Sequence, residues 1–579
     1  MPRILSIYFL LFTLTAMGQG GSWPLTAFEM SDGNSTFTYE EGIAYFNSLA
    51  EKSPLIHVET LGTTDAGFPL HTYIWSADGT FSPEENKAKE RAVFLVNNAI
   101  HPGEPDGVEA SAMLLRDLAS DRKLQKKYAN TTLIIIPFYN IGGVLNRNSY
   151  SRANQNGPEE YGFRGNAKNY DLNRDFIKMD SKNAFAFAEI FNKWNPLVFF
   201  DNHVSNGADY QYTLTYLSTQ EDKLGKQMSI HQRKLNKRLA ASMARKNMPI
   251  IPYVNVWGRS PDQGGIYQFY DSPRYSSGYA ALHQCFAYTV ETHMLKPFAQ
   301  RVEQTYEFMR SMLDDLAEHA AELLIAQASQ KEAYKQASEI ALNYSLDRSR
   351  QDKIPFKGYA YKTKTSAATG MERPYYDKSE PFEKIILYYT YYQASLVKQK
   401  PKYYLIPKAW SNIIERLKVN NIHFHTLQQD SSLHLTAMYV DSFETVDSPF
   451  EGHYLHYNTH VSERKQEVQF RAGDVLIPTE GNNAYFLMSV LEPEATDSYF
   501  NWNFFDIYLQ RKEGYSAYVF EDKAAEYLEQ NPSLRAEFEA KKKADEQFAK
   551  NAQWQLYWIY QHSRHYEPEH NRVPVFKIY

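Results

Sequence analysis

Four short runs of apolar residues, set between stretches of helical periodicity, constrain this chain's fold more than any other feature. They are Arg91-Ala92-Val93-Phe94-Leu95-Val96-Asn97, Thr131-Thr132-Leu133-Ile134-Ile135-Ile136-Pro137, Pro196-Leu197-Val198-Phe199-Phe200-Asp201, and Ala287 to Glu291. Each is rich in β-branched or aromatic residues and too short for a buried helix, so each reads as a strand covered on both faces. Between the first two, Val108 to Leu118 places apolar residues at helical spacing. The expected fold is therefore α/β, a mixed, mostly parallel sheet flanked by helices. Such sheets build their sites at or just beyond strand ends. That directs attention to His101, just past the first run, and His203, just past the third.

The rest of the chain reads differently. Phe298 to about Asn343 is helical in pattern, and Asp347 to Pro374 is polar with few apolar anchors. A boundary at residue 345 is expected from that change. Beyond it, Lys384 to Tyr389 and Tyr403 to Pro407 read as strands, Trp410 to Leu417 as a short helix, and several stretches between Leu435 and Val490 as further strands. Asp522 to about Tyr560 reads as one long helix, charged on one side. No ligand-spaced cluster of His, Asp, Glu or Cys occurs in this half. Residues 346–579 are thus expected to form a β-rich or α+β accessory domain rather than a second active site.

Arg3, the apolar stretch from Ile4 to Met17 and the small residues around Ala16-Met17-Gly18 have the layout of a signal peptide over residues 1–18. The stretch is shorter than the roughly 18–20 residues a membrane span needs. A secreted or periplasmic protein with no integral membrane segment after cleavage is expected. Cys285 is the single cysteine, so no internal disulfide can form, and its apolar surroundings suit a buried inert thiol. The net charge of −6 over 579 residues, with no basic run, offers no electrostatic case for nucleic acid.

Asn98-Ala99-Ile100-His101-Pro102-Gly103-Glu104-Pro105-Asp106-Gly107 is the most informative segment. A His and a Glu three residues apart on a tight Pro/Gly turn can point at one cation. A further His from a distant strand end completes three protein ligands and leaves a fourth position open, as in catalytic zinc sites. His203 is the natural third ligand. One catalytic zinc ion held by His101, Glu104 and His203 is the expectation, although a lone His-x-x-Glu match arises often by chance.

The segment resembles the His-x-x-Glu motif of the M14 zinc carboxypeptidases, and further matches follow in that family's order. Arg164-Gly165-Asn166-Ala167-Lys168-Asn169-Tyr170-Asp171-Leu172-Asn173-Arg174-Asp175-Phe176 is similar to its Arg-x-Asn…Asp-Leu-Asn-Arg-Asn-Phe block, with Asp175 in place of the last Asn. Asp201-Asn202-His203 resembles the segment with the second zinc His, and Thr289-Val290-Glu291-Thr292 the strand with the catalytic glutamate. The resemblance covers about residues 40 to 310. It implies Glu291 as general base, Arg164 stabilising the developing oxyanion, and Asn173 and Arg174 binding a substrate's terminal carboxylate. Asp171 would accept the free ring N–H of His101. Arg147 and Arg152 are weaker rivals to Arg164. A family tyrosine upstream of the glutamate could be Tyr267, Tyr270, Tyr275 or Tyr279, and Arg274 or Ser276 could set side-chain preference.

Together these imply catalytic residues 19–345 that hydrolyse the C-terminal bond of peptides or proteins bearing a free carboxylate, through zinc-activated water. A zinc amidohydrolase or deacylase, or a peptidase of cell-wall stem peptides, on the same scaffold is the alternative. A non-catalytic binding module is disfavoured because Glu291 and all three ligands are present.

Overall fold

The computed structural model describes residues 23–579. The signal peptide expected at residues 1–18 lies outside them. The four apolar runs become β3 (Ala92–Asn97), β4 (Thr131–Ile136), β5 (Val198–Ser205) and β9 (Phe286–His293), preceded by β1 (Ile56–Leu61) and β2 (Leu70–Trp75). With β6 (Leu214–Ser218) and β7 (Ile250–Pro252) they form one eight-stranded sheet in the order β1-β2-β4-β3-β5-β9-β6-β7. Its centre is parallel, since β3 pairs with both β4 and β5, and β5 with β9, in the same sense. β1–β2, β2–β4 and β9–β6 are antiparallel, and the outermost β6–β7 pair is parallel.

Successive strand residues point to opposite faces, and both faces are dry. Phe94, Val96, Phe200 and Tyr288 pack under the helices Asp106–Ser120, Lys226–Arg245 and Phe298–Gln336. Leu95, Phe199 and Ala287 face the other way, onto Phe187, Phe191 and Tyr279 of the helices Lys182–Trp194 and Ser276–Leu282. That second core continues without interruption into Tyr404, Phe486, Tyr499 and Trp502 from the chain's second half. The expected α/β sheet flanked by helices is therefore present, and one of its cores is shared.

Residues 346–400 are mostly strand. β10 (Glu339–Leu346) pairs with β13 (Tyr392–Gln399), and between them β11 (Asp352–Thr365) and β12 (Glu372–Tyr389) form a long hairpin. β12 also pairs with the short β8 (Ile266–Tyr267), and Phe356 and Ile386 pack against Tyr210, Tyr212 and Ile251. A six-stranded sheet follows, built from β14 (Tyr403–Ile406), β15 (His425–Thr426), β16 (Ser431–Thr445), β17 (His456–Phe470), β18 (Val475–Pro478) and β19 (Arg572–Ile578).

The single helix expected from Asp522 to Tyr560 is corrected to four, Ala517–Gln530, Pro532–Ala544, Glu546–Ala549 and Ala552–Gln561. Asn531 precedes a proline, which disfavours helical backbone there. Asp545 and Asn551 each accept the backbone N–H of the residue three positions on and cap new helices. Among the described residues no helix is long and apolar enough to cross a membrane.

Candidate metal centre

His101 and Glu104 lie on the turn between β3 and the helix Asp106–Ser120, and the Glu104 N–H donates to the His101 carbonyl at 2.8 Å. Gly103 is required between them, because a Cβ would come within 2.5 Å of the Arg152 side chain and 3.2 Å of the Gly162 oxygen. β5 runs on to Ser205, so His203 sits within the strand, in register with Glu291 on β9. His203 Nδ1 is 3.2 Å from His101 Nδ1 and 3.1 Å from Glu104 Oε2, and His101 Nδ1 is 3.4 Å from Glu104 Oε1. All three residues are buried.

The rings are fixed from behind. His101 Nε2 lies 2.9 Å from Asp171 Oδ1, and His203 Nε2 lies 2.8 Å from Asp201 Oδ2. Each ring that gives its Nε2–H to a carboxylate presents an Nδ1 lone pair inward. Two such lone pairs beside a carboxylate repel one another unless a cation lies among them. Two donors bound tetrahedrally to zinc at about 2.0–2.1 Å are roughly 3.3 Å apart. The spacing and chemistry of these three groups fit that ion.

Burial opposes charge on Glu104, yet Arg152 and the histidines hold its carboxyl well below the usual range. Burial likewise opposes charge on His203, and Asp201 and Glu104 outweigh it, so these two carboxylates favour a positive charge, a proton or a metal ion, on that ring. Glu291 behaves oppositely. Its carboxylate makes no hydrogen bond or ion pair among the described residues, and burial pushes it up to about 8, helped by the Glu104 charge against the pull of His203 and Arg164. The charge of Glu291 also reaches the phenols of Tyr253 and Tyr210.

Arg164 stands at the mouth, 45% exposed, with Nε and Nη2 3.0 and 2.9 Å from Asp171 Oδ2 and Nη1 3.7 Å from Glu104 Oε1. Asn173 and Arg174 form a short turn capped by Asp171, whose Oδ1 accepts from the Asn173 N–H at 2.9 Å. Asn173 Oδ1 accepts from the Ser276 N–H at 3.1 Å, and the Arg174 guanidinium lies 4.6 Å from the Tyr275 ring centre. Asp175 has become a structural anion. It accepts from Lys178 Nζ at 2.7 Å and from the N–H groups of Asp180 and Ser181 at 2.9 Å each.

Several residues the sequence left open separate here. Arg147 is pinned to the carbonyls of Thr36 and Phe37, whereas Arg152 reaches Glu104 itself. Tyr279 is buried against Asn420 and Asn192, Tyr270 stacks on Tyr392 and Tyr267 on Trp257, which leaves Tyr275 as the one of the four touching Arg174. Arg274 is bound to Asp497. Burial pushes the Cys285 thiol up, as suits an inert one. Asp201 and Tyr253 were not singled out from the sequence, and Arg152 was named only as a rival to Arg164, not as a partner of Glu104. Only Asp201 carried a signal, two residues before His203 in its strand.

The sequence matches the family model for zinc carboxypeptidases over residues 43–372. It is 22% identical over 488 residues to "Carboxypeptidase 2" of Trichophyton rubrum, covering 81% of this chain and 84% of that one. The same-named protein of Trichophyton equinum matches at 22% over 486 residues, with the same coverage. Among solved structures, a metallo-carboxypeptidase from Burkholderia cenocepacia aligns with 48% of this chain and 68% of its own, at 17% identity and a TM-score of 0.36.

Proposed function

This chain belongs to the zinc carboxypeptidase family, and from that premise we propose that it hydrolyses the C-terminal peptide bond of peptides and proteins with a free carboxylate. The observation that carries the reading is the Glu291 carboxylate, without a hydrogen bond or ion pair among the described residues and one strand away from the His101–Glu104–His203 cluster, with Arg164 and Arg174 close by. Residues 19–345 make up the catalytic domain in this reading, and residues 346–579 an accessory one. The N-terminal sequence supports export, to the medium or the periplasm.

His101, Glu104 and His203 hold one zinc ion, which when bound supplies Lewis acidity that polarises a carbonyl and lowers the pKa of water. Asp171 and Asp201 keep both rings in the tautomer that presents Nδ1. Glu291 takes a proton from the attacking water and passes it to the leaving amine, so that the amide C–N bond breaks to an acid and an amine. Arg164 stabilises the negative charge that grows on the carbonyl oxygen. Arg174 offers a planar fork to the terminal carboxylate, and Asn173 adds a neutral donor. That pair makes an exopeptidase out of a general zinc hydrolase.

Incubation with a mixed peptide library, with and without a zinc chelator, tests the proposal. Stepwise loss of C-terminal residues, abolished by the chelator, is expected. Cleavage confined to internal bonds, or to acyl groups on single amino acids, overturns it.

A further inference from the structure

The loop that carries Asn173 and Arg174 is tied down from beyond residue 400. Arg416, on the helix Ser411–Val419, donates from Nε to the Lys178 carbonyl at 2.7 Å and from Nη2 to the Met179 carbonyl at 3.1 Å. His453 Nε2 lies 2.7 Å from Asp180 Oδ2. At the loop's other end, Glu451 Oε2 accepts from the backbone N–H of Asp171 at 2.9 Å. Both ends of residues 171–180 are therefore fixed by the second half of the chain.

Glu451 sits at the tip of a two-residue hairpin. Phe450 and His453 exchange both backbone hydrogen bonds, at 2.7 and 3.1 Å, and Glu451 and Gly452 between them have φ of 50° and 83°. Two positive φ values are those of a type I′ turn, which favours Asn-Gly. A glutamate there is crowded by its own Cβ. Backbone preference does not select it, so its carboxylate must be sought as the reason.

The tip is also built to stay in place. Phe450 stacks on Trp502 with ring centres 6.1 Å apart, and the Arg274 guanidinium lies 5.5 and 5.0 Å from those two rings. Arg274 is itself held by Asp497 at 2.7 Å. A Cβ at Gly452 would stand in ordinary van der Waals contact, at 3.4 Å, with the ring of Tyr170, the residue before Asp171, so the tip packs beside the loop.

Asp171 is where this contact matters. Its side chain bonds His101, Arg164 and the Asn173 N–H at once. A displacement of its main chain would move the turn Leu172–Arg174 with it.

We propose that Glu451 is a positioning residue for substrate binding, through which the second half of the chain sets the Asp171–Arg174 turn. The inference rests on the reading of Asn173 and Arg174 as the carboxylate-binding pair.

Two full-length variants test it. Glu451→Gly relieves the left-handed backbone and removes the acceptor, while Glu451→Gln keeps an acceptor oxygen. Amide hydrogen exchange at Asp171 to Arg174 is read alongside KM and kcat on one peptide. Glu451→Gly should exchange the Asp171 amide roughly tenfold faster or more. It should raise KM about tenfold with kcat changed less, at an unchanged or higher melting midpoint. Glu451→Gln should recover most of both. Wild-type exchange and KM in Glu451→Gly overturn the proposal, as does a lowered melting midpoint with no local change in exchange. If the wild type cleaves no peptide, the carboxypeptidase reading fails on its own, and the exchange data alone decide the role of Glu451.

Discussion

Arg152 Nη1 lies 2.8 Å from Glu104 Oε1, nearer than any atom of Arg164. The same guanidinium donates to the Val204 carbonyl at 3.1 Å and to Gln155 at 2.6 Å, and its stem passes over Gly103. It therefore fixes one oxygen of a candidate zinc ligand and ties the turn to β5. Groups that orient metal ligands typically contribute about 10–100-fold in affinity. We expect Arg152→Ala to weaken zinc binding by that order in a chelator competition. Arg152→Lys should recover only part, since one ammonium cannot reproduce the forked geometry. Unchanged zinc affinity in Arg152→Ala would remove Arg152 from the site.

Glu291 separates binding from chemistry. It shares register with His203 across β5 and β9 but is not one of the three converging ligands. Glu291→Gln keeps the shape and loses the proton acceptor, so kcat should fall about 10²–10⁴-fold. Zinc content, measured by elemental analysis, should stay at the wild-type value. Turnover within tenfold of wild type would assign the base elsewhere.

What the sequence made legible was local. β3, β4, β5 and β9 announced themselves as apolar runs, and the three-residue spacing of His101 and Glu104 pointed at one cation. The contact of Arg152 with Glu104 was not legible, because nothing in Asn146-Arg147-Asn148-Ser149-Tyr150-Ser151-Arg152 separates its two arginines, both of which read as rivals to Arg164. The missing Cβ of Gly103, 49 positions away, is what admits one of them. Glu451 was hidden in the same way. It stands in a turn-like stretch without ligand spacing and acquires its partner across 280 residues. The break at Asn531-Pro532, by contrast, was written in the sequence and outweighed there by helical periodicity on either side.

His283 makes the fold sensitive to acid. It is buried against Phe191, Tyr279 and Phe486, where the sheet's second core meets the helix Ala484–Leu491. Burial, with the Lys331 charge adding to it, lowers its pKa to about 3. An unfolded histidine titrates near 6.5. Between those values the unfolded chain binds a proton that the folded chain refuses, so this contribution is whole above about pH 6.5 and is lost as pH falls toward 3. The loss amounts to about 2 kcal/mol at pH 5. Thermal unfolding at pH 7 and pH 5 should show a smaller drop for His283→Gln than for wild type. Equal drops would mean that His283 is protonated in the folded protein.

Asp175 yields a prediction that runs against its own family pattern, which has Asn at this position. Its Oδ1 accepts from Lys178 Nζ and the Asp180 N–H, and its Oδ2 from the Ser181 N–H and from the Ser181 hydroxyl at 2.5 Å. Asp175 and Lys178 are both fully buried. An asparagine offers one acceptor oxygen, and in either flip its NH₂ group would face two of these donors. Lys178 would keep Asp180 as its remaining anion, 2.8 Å away. Breaking one side of a buried, hydrogen-bonded charge cluster costs about 2–4 kcal/mol. Asp175→Asn should therefore lower the melting midpoint, although it restores the family residue. Adding Lys178→Met, which removes the charge left short of a partner, should recover part of the loss. A melting midpoint for Asp175→Asn equal to wild type would show that Lys178 does not need Asp175.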